Sequence, residues 1–216
     1  MSRAISNMNV LAAQFEVADF DGPYLASFGR PALRGSWFIW GGSGSGKTTF
    51  TLMLCKYLSK FKRTAYDSLE QGLSLSLQKA WERVGMAEAG NNIVLLNKEE
   101  LPELRTRLAK RKSPDIIVID SIQYLDKFYK DQYKKLKNDF PDKLFIFIGQ
   151  EKTGNGEPAG TMGVHIRYDA DIKIHVEGFK AFFTTRYEDS DKGEGGADFI
   201  IWQEGADAYW LNQIKK

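Results

Sequence analysis

Apolar residues recur along this chain in two rhythms. "SWFIW" (36–40), "RTAYD" (63–67), "NIVLLN" (92–97), "DIIVID" (115–120) and "KLFIFIGQ" (143–150) are short, nearly continuous apolar runs, as expected of strands buried on both faces of a parallel sheet. Between them, "KTTFTLMLCKYLSKF", "LSLSLQKAWERVGM" and "EELPELRTRLAKRK" carry apolar residues at helical spacing, and Leu125, Tyr129, Tyr133, Leu136 and Phe140 fall three or four apart, which predicts a further amphipathic helix. Strands and helices thus alternate through the first two thirds. Beyond Gln150 the character changes, because "EKTGNGEPAGTMG" holds four glycines and a proline and predicts a long mobile loop from about Glu151 to His165. After it, "DIKIHV" and "KAFFTT" flank Glu177-Gly178, while "DFIIW" and "AYWL" flank Gly205; both pairs read as antiparallel hairpins. The predicted fold is α/β: a mainly parallel, twisted sheet flanked by helices, with C-terminal antiparallel hairpins.

Residues 1–35 lack clean periodicity and are expected to form an N-terminal arm, docked on or tethering the core. Residues 36–216 are expected to be one core domain, since 216 residues at 43% hydrophobic content suffice for one core and are short for two. The formal charge of +2 neither demands nor excludes a polyanionic partner. Cys55 is the one cysteine, which excludes an intrachain disulfide and a cysteine-built metal site. There is no apolar run of about 18 residues and no signal-peptide core, so the expectation is a cytoplasmic protein with no membrane partner.

The chemistry concentrates in "GGSGSGKT", Gly41 to Thr48. It fits G-x-x-x-x-G-K-[ST] and lies after a predicted strand and before a predicted helix, the context that motif requires. Glycines let successive N–H groups face phosphate oxygens, Lys47 brings a point charge to the terminal phosphates, and the Thr48 hydroxyl is placed for Mg²⁺. The ATP-binding candidates are Gly41, Gly42, Ser43, Gly44, Ser45, Gly46, Lys47, Thr48 and Thr49. The second metal-side group should be a carboxylate at the tip of a buried strand, and Asp120 fits. Asp115 begins the same strand, about 17 Å away at ~3.3 Å per residue. Hydrolysis also needs a group that orients or deprotonates water. Ser121, not a glutamate, follows Asp120, so the base must come from elsewhere; Glu70, just beyond "RTAYD", is the candidate.

Four stretches in order, "GGSGSGKTT", "YDSLEQG", "VIDSI" and "FIGQEKTGNGEPAG", resemble the signature of the RecA-like ATPases, the group that contains RecA, RadA, KaiC and the DnaB-type helicases. The likeness is closest to the RadA type and to core-only phage recombinases. It implies a Mg²⁺-dependent, DNA-stimulated ATPase in recombination or repair, assembled as a ring or filament with ATP between subunits. By that resemblance Glu70 polarises the attacking water and Gln150 senses the γ-phosphate. The loop bearing Lys152, Thr153, Gly154, Asn155 and Gly156 contacts single-stranded DNA. Arg186 in "FFTTRYE" matches a basic residue that reaches into a neighbour's ATP site, although Thr184 stands where a lysine is common. "FEVA", Phe15 to Ala18, resembles a Phe-x-x-Ala subunit tether. Two other readings stay open: a KaiC-like regulatory or scaffolding ATPase with a protein partner, and a small-molecule P-loop kinase. His165 and His175 lack partners at metal-ligand spacing and read as structural, and the lysines of 127–137 as a solvated face.

Overall fold

The computed structural model describes residues 4–153 and 155–214. The elements run α1 (Asn7–Leu11), α2 (Gly22–Phe28), β1 (Gly35–Gly41), α3 (Lys47–Leu58), β2 (Thr64–Ser68), α4 (Leu75–Arg83), β3 (Ile93–Leu96), α5 (Leu101–Leu108), β4 (Ile116–Asp120), α6 (Lys130–Asp139), β5 (Leu144–Gln150), α7 (Gly160–Asp169), β6 (Ile172–Glu177), β7 (Lys180–Thr185), β8 (Phe199–Ile200) and α8 (Gln203–Ile214). They build one eight-stranded sheet in the order β3-β2-β4-β5-β1-β6-β7-β8. The first six are parallel, whereas β7 is antiparallel to both β6 and β8.

The continuous apolar runs become strands because both sheet faces are covered. On one face Phe28 of α2, Phe50 and Leu54 of α3 and Leu77 of α4 pack with Trp37, Ile39, Val118, Ile146 and Ile174. On the other, Leu104 of α5, Tyr133 and Leu136 of α6 and Ile166 of α7 cover Phe38, Ile117, Phe145 and Phe147. Register pairs Gly41 with Gln150 and Ser68 with Asp120. The sheet therefore gathers the C-terminal tips of β1, β2, β4 and β5 at one edge, where open α/β sheets bind ligands.

Four local expectations are corrected. "AYWL" is not a strand: it lies in α8, and only Phe199–Ile200 of "DFIIW" pairs with β7. Packing overrides strand propensity here, since a side chain on Gly205 would lie 2.2 Å from the Trp202 ring and 2.8 Å from Phe179, so a helix can seat that close only through glycine. The loop after Gln150 ends at Ala159, because α7 begins at Gly160; Gly163 is tolerated inside it since a Cβ there would meet Pro158 at 3.0 Å. That loop is also fastened, with Lys152 N–H on the Glu157 carbonyl (2.7 Å) and Ala159 N–H on the Gln150 carbonyl (2.7 Å). The helix expected from Leu125 starts at Lys130 instead, after Lys127 adopts φ 52°, a left-handed conformation that interrupts a helix.

In the N-terminal segment, Ala18, Phe20 and Phe28 are buried in the main core, and Ala18 N–H bonds the Pro31 carbonyl at 2.8 Å. Ala18 of "FEVA" is thus enclosed by its own chain. Phe15 lies on the surface with the Arg34 guanidinium 5.0 Å from its ring centroid.

Asp67 of β2 is fully buried, with one oxygen accepting Glu99 N–H at 3.1 Å and the other without a partner among the described residues. Burial pushes its carboxyl up to about 7, only partly opposed by the Glu99 N–H bond. The folded chain therefore keeps a proton that the unfolded chain loses near the ordinary aspartate value of about 3.9, and stability falls as pH rises through the window from ~4 to ~7. Asp67→Asn is expected to flatten that decline and to be more stable than the parent by roughly 2–4 kcal/mol at pH 8, read from urea unfolding at pH 5 and pH 8.

Candidate nucleotide site

β1 ends at Gly41 and α3 begins at Lys47, so the five residues between must reverse the chain tightly. Gly44 (φ 73°) and Gly46 (φ 103°) occupy left-handed backbone, which glycine adopts without a Cβ penalty. At Gly41 a Cβ would lie 2.1 Å from the Val176 carbonyl oxygen. The loop is slung between two supports: Glu151 N–H donates to the Gly41 carbonyl (3.1 Å), and Phe179 N–H donates to the Ser45 carbonyl (3.1 Å). Phe179 and Gly178 both have positive φ and form the two-residue turn between β6 and β7. No side chain caps the N-terminus of α3, leaving its first N–H groups for an anion. Lys47 folds back over the loop, its Nζ donating to the carbonyls of Gly41 (2.7 Å) and Gly42 (2.6 Å). Burial lowers the Lys47 pKa, opposed by the carboxylates of Asp120, Glu70 and Glu151.

The carboxylates arrive from adjacent strands. Asp120 closes β4, and its backbone carbonyl accepts the N–H groups of Leu69 (2.8 Å) and Glu70 (3.2 Å). Those two bonds hold the segment carrying Glu70 against the Asp120 tip. The Tyr66 hydroxyl donates to the Asp120 carboxylate. Burial pushes the Asp120 carboxyl up and the Glu70 charge adds to the rise, against the Tyr66 hydrogen bond and the Lys47 ammonium. The result is a cavity of about 590 Å³ onto which Lys47, Thr48, Glu70, Asp120, Gln150 and Glu151 converge, together with Gly41 to Gly44 and Thr153. An uncapped helix start, glycine backbone, a cation and two carboxylates with a hydroxyl fit a nucleoside triphosphate and a Mg²⁺ that keeps most of its ligands from water and phosphate.

The remaining candidates sit elsewhere. Ser45 lines a smaller recess of about 170 Å³ with Phe179 and Tyr209. Gly46 caps α3, and Thr49 lies within α3 outside the cavity lining. Lys152 and Asn155 are exposed, Gly156 binds the Glu151 side chain at 3.0 Å, and Gly154 lies outside the described residues. Arg186 follows β7, whose Thr185 opposes Ile172 at the start of β6. It is therefore at the edge opposite Gly41, ion-paired with Asp171 at 2.9 Å, and out of reach of its own chain's phosphate site.

Two solved structures share this architecture. The ATPase domain of a phage DnaB-like helicase matches with a TM-score of 0.54 at 18% identity, over 80% of this chain and 83% of that one. Flagellar accessory protein FlaH from Methanocaldococcus jannaschii matches with a TM-score of 0.51 at 16% identity, over 76% and 82%. The fold is RecA-like. No family model matches the chain, and no curated protein matches it by sequence. At such identities the likeness concerns the fold.

Within this RecA-like frame, motif reading missed Glu151. Its side chain is largely buried, with one oxygen accepting Gly156 N–H (3.0 Å) and the other bonded to His175 Nε2 (3.0 Å). It touches the nucleotide cavity and the following loop at once. The signal was available, since Glu151 directly follows Gln150 at a strand end. Tyr66 was also missed, because a buried aromatic in a strand reads as core.

Proposed function

We propose that this RecA-like chain is a Mg²⁺-dependent ATPase that acts on single-stranded DNA in recombination or repair, as a homo-oligomer. The observation that carries the reading is the joint approach of Lys47, Thr48, Asp120 and Glu70 to one cavity, from which Gln150 leads directly into a glycine-rich loop. In this reading the N–H groups of Gly42 to Lys47 and the Lys47 ammonium bind the phosphates, and Glu70 accepts the proton of the attacking water or aligns it. Thr48 and Asp120 would hold the Mg²⁺, which neutralises charge on the phosphates when bound. Gln150 and Glu151 carry the state of the phosphate site to the loop, through the Gly156 hydrogen bond.

The test is the ATP hydrolysis rate with and without a single-stranded oligonucleotide at low ionic strength. Stimulation of several-fold, lost as salt rises, is expected. Hydrolysis indifferent to DNA, with no salt-sensitive binding, would remove DNA from the reading and favour a protein partner for the loop. Among the described residues no helix is long and apolar enough to cross a membrane. Assembly is checked by measuring molecular size with a non-hydrolysable ATP analogue.

A further inference from the structure

The loop after Gln150 offers no ring on which a base could stack, yet the surface beside it does. β6 alternates, sending Ile172, Ile174 and Val176 into the main core and Lys173 and His175 to the opposite face. In register, His175 lies opposite Trp40 of β1 on one side and Phe182 of β7 on the other, and Lys173 opposes Thr184. Three rings thus cross the sheet in a row, Trp40 stacked on His175 at 5.3 Å and His175 next to Phe182 at 6.3 Å. They floor a cleft of about 390 Å³ bordered by Arg167 and Tyr168 of α7 and by Lys173. Trp40 is buried, Phe182 half-buried, and Tyr168 69% exposed with the Arg167 guanidinium 5.4 Å from its ring. Arg167 and His175 pair with Glu157 and Glu151, whereas Lys173 has no ion-pair partner among the described residues.

We propose that this cleft binds a short run of single-stranded nucleic acid, with bases stacked on Tyr168 and Phe182 and a phosphate on Lys173. Exposed rings beside an available cation are the chemistry that holds single strands without regard to sequence. The floor is also wired to the loop: Trp40 Nε1 donates to the Gly156 carbonyl (2.8 Å), Arg167 pairs with Glu157 (2.9 Å), and His175 bonds Glu151 (3.0 Å). A strand seated here would press on the same residues that line the nucleotide cavity. The inference rests on the single-stranded DNA reading and gives the strand a place in the fold.

The experiment is fluorescence anisotropy of a labelled oligo-dT against the full chain with a non-hydrolysable ATP analogue, across a salt series. Tyr168→Ala is expected to weaken binding about tenfold and Tyr168→Phe to leave it unchanged, since stacking needs only the ring face. Lys173→Ala is expected to weaken binding and to reduce the salt slope by about one, with ATP affinity unaltered in all three. A 5-bromodeoxyuridine oligonucleotide should crosslink to the peptide bearing Tyr168 or Phe182. If the parent binds DNA but both alanine variants bind equally well and crosslinks fall elsewhere, the cleft assignment is wrong while the DNA reading survives. If the parent binds no single strand, both fall. Variants that keep DNA binding but lose size growth with the ATP analogue would make the cleft a contact between copies, which also overturns the proposal.

Discussion

Glu70→Gln should bind ATP as the parent does and hydrolyse it at least ~100-fold more slowly, the low end of what a positioned general base contributes. That is a barrier increase of about 2.7 kcal/mol or more. The substitution is isosteric, and the segment is held by the backbone N–H groups of Leu69 and Glu70 on the Asp120 carbonyl, which the change leaves intact. Nucleotide contacts come from the Gly41–Gly46 backbone, Lys47 and Thr48 in this reading, so affinity has no reason to fall. Single-turnover hydrolysis paired with equilibrium binding of a fluorescent ATP analogue separates the two effects. Hydrolysis at the parental rate would show that the base is another group, with Glu151 the next carboxylate on the cavity.

The parallel sheet was legible because each central strand is buried on both faces, and such a strand must be written as an apolar run. β2, β4 and β5 are spelled that way from end to end, with burial to match. The phosphate loop was legible because backbone that needs positive φ and close approach restricts the residue choice at Gly44 and Gly46. Helices α7 and α8 were hidden by Gly163 and Gly205, which read as breakers locally. Each sits in its helix because a neighbouring ring occupies the space a side chain would need. Glu70 and Asp120 could be named from order along the chain, but their proximity depends on the β2–β4 register, which no local pattern encodes. The aromatic row Trp40, His175, Phe182 is likewise a product of register, drawn from three strands at 40, 175 and 182. Its members look like scattered core residues until the strands are paired.

Lys47→Ala should lose nucleotide affinity by on the order of 100-fold, about 2.7 kcal/mol. The Nζ charge is the one ammonium among the described residues that line the cavity, and three carboxylates face the same space, those of Glu70, Asp120 and Glu151. A hydrogen bond to a charged group contributes ~1.5–3 kcal/mol. Without the ammonium, the incoming phosphates would also meet carboxylates with no cation of the protein between them, so the loss should sit at the upper end of that range. Fold stability should change little, because Lys47 Nζ donates only to the carbonyls of Gly41 and Gly42 in a solvent-lined loop. Lys47→Arg is expected to fall between, since it keeps the charge but replaces a compact ammonium with a planar fork that the narrow loop was not built to seat. Titration with a fluorescent ATP analogue, alongside thermal unfolding of each variant, provides the check. Near-parental affinity in Lys47→Ala would mean that the backbone N–H groups bind the phosphates unaided. The Nζ bonds to Gly41 and Gly42 would then be the residue's whole role, a brace for the loop and not a contact for the nucleotide.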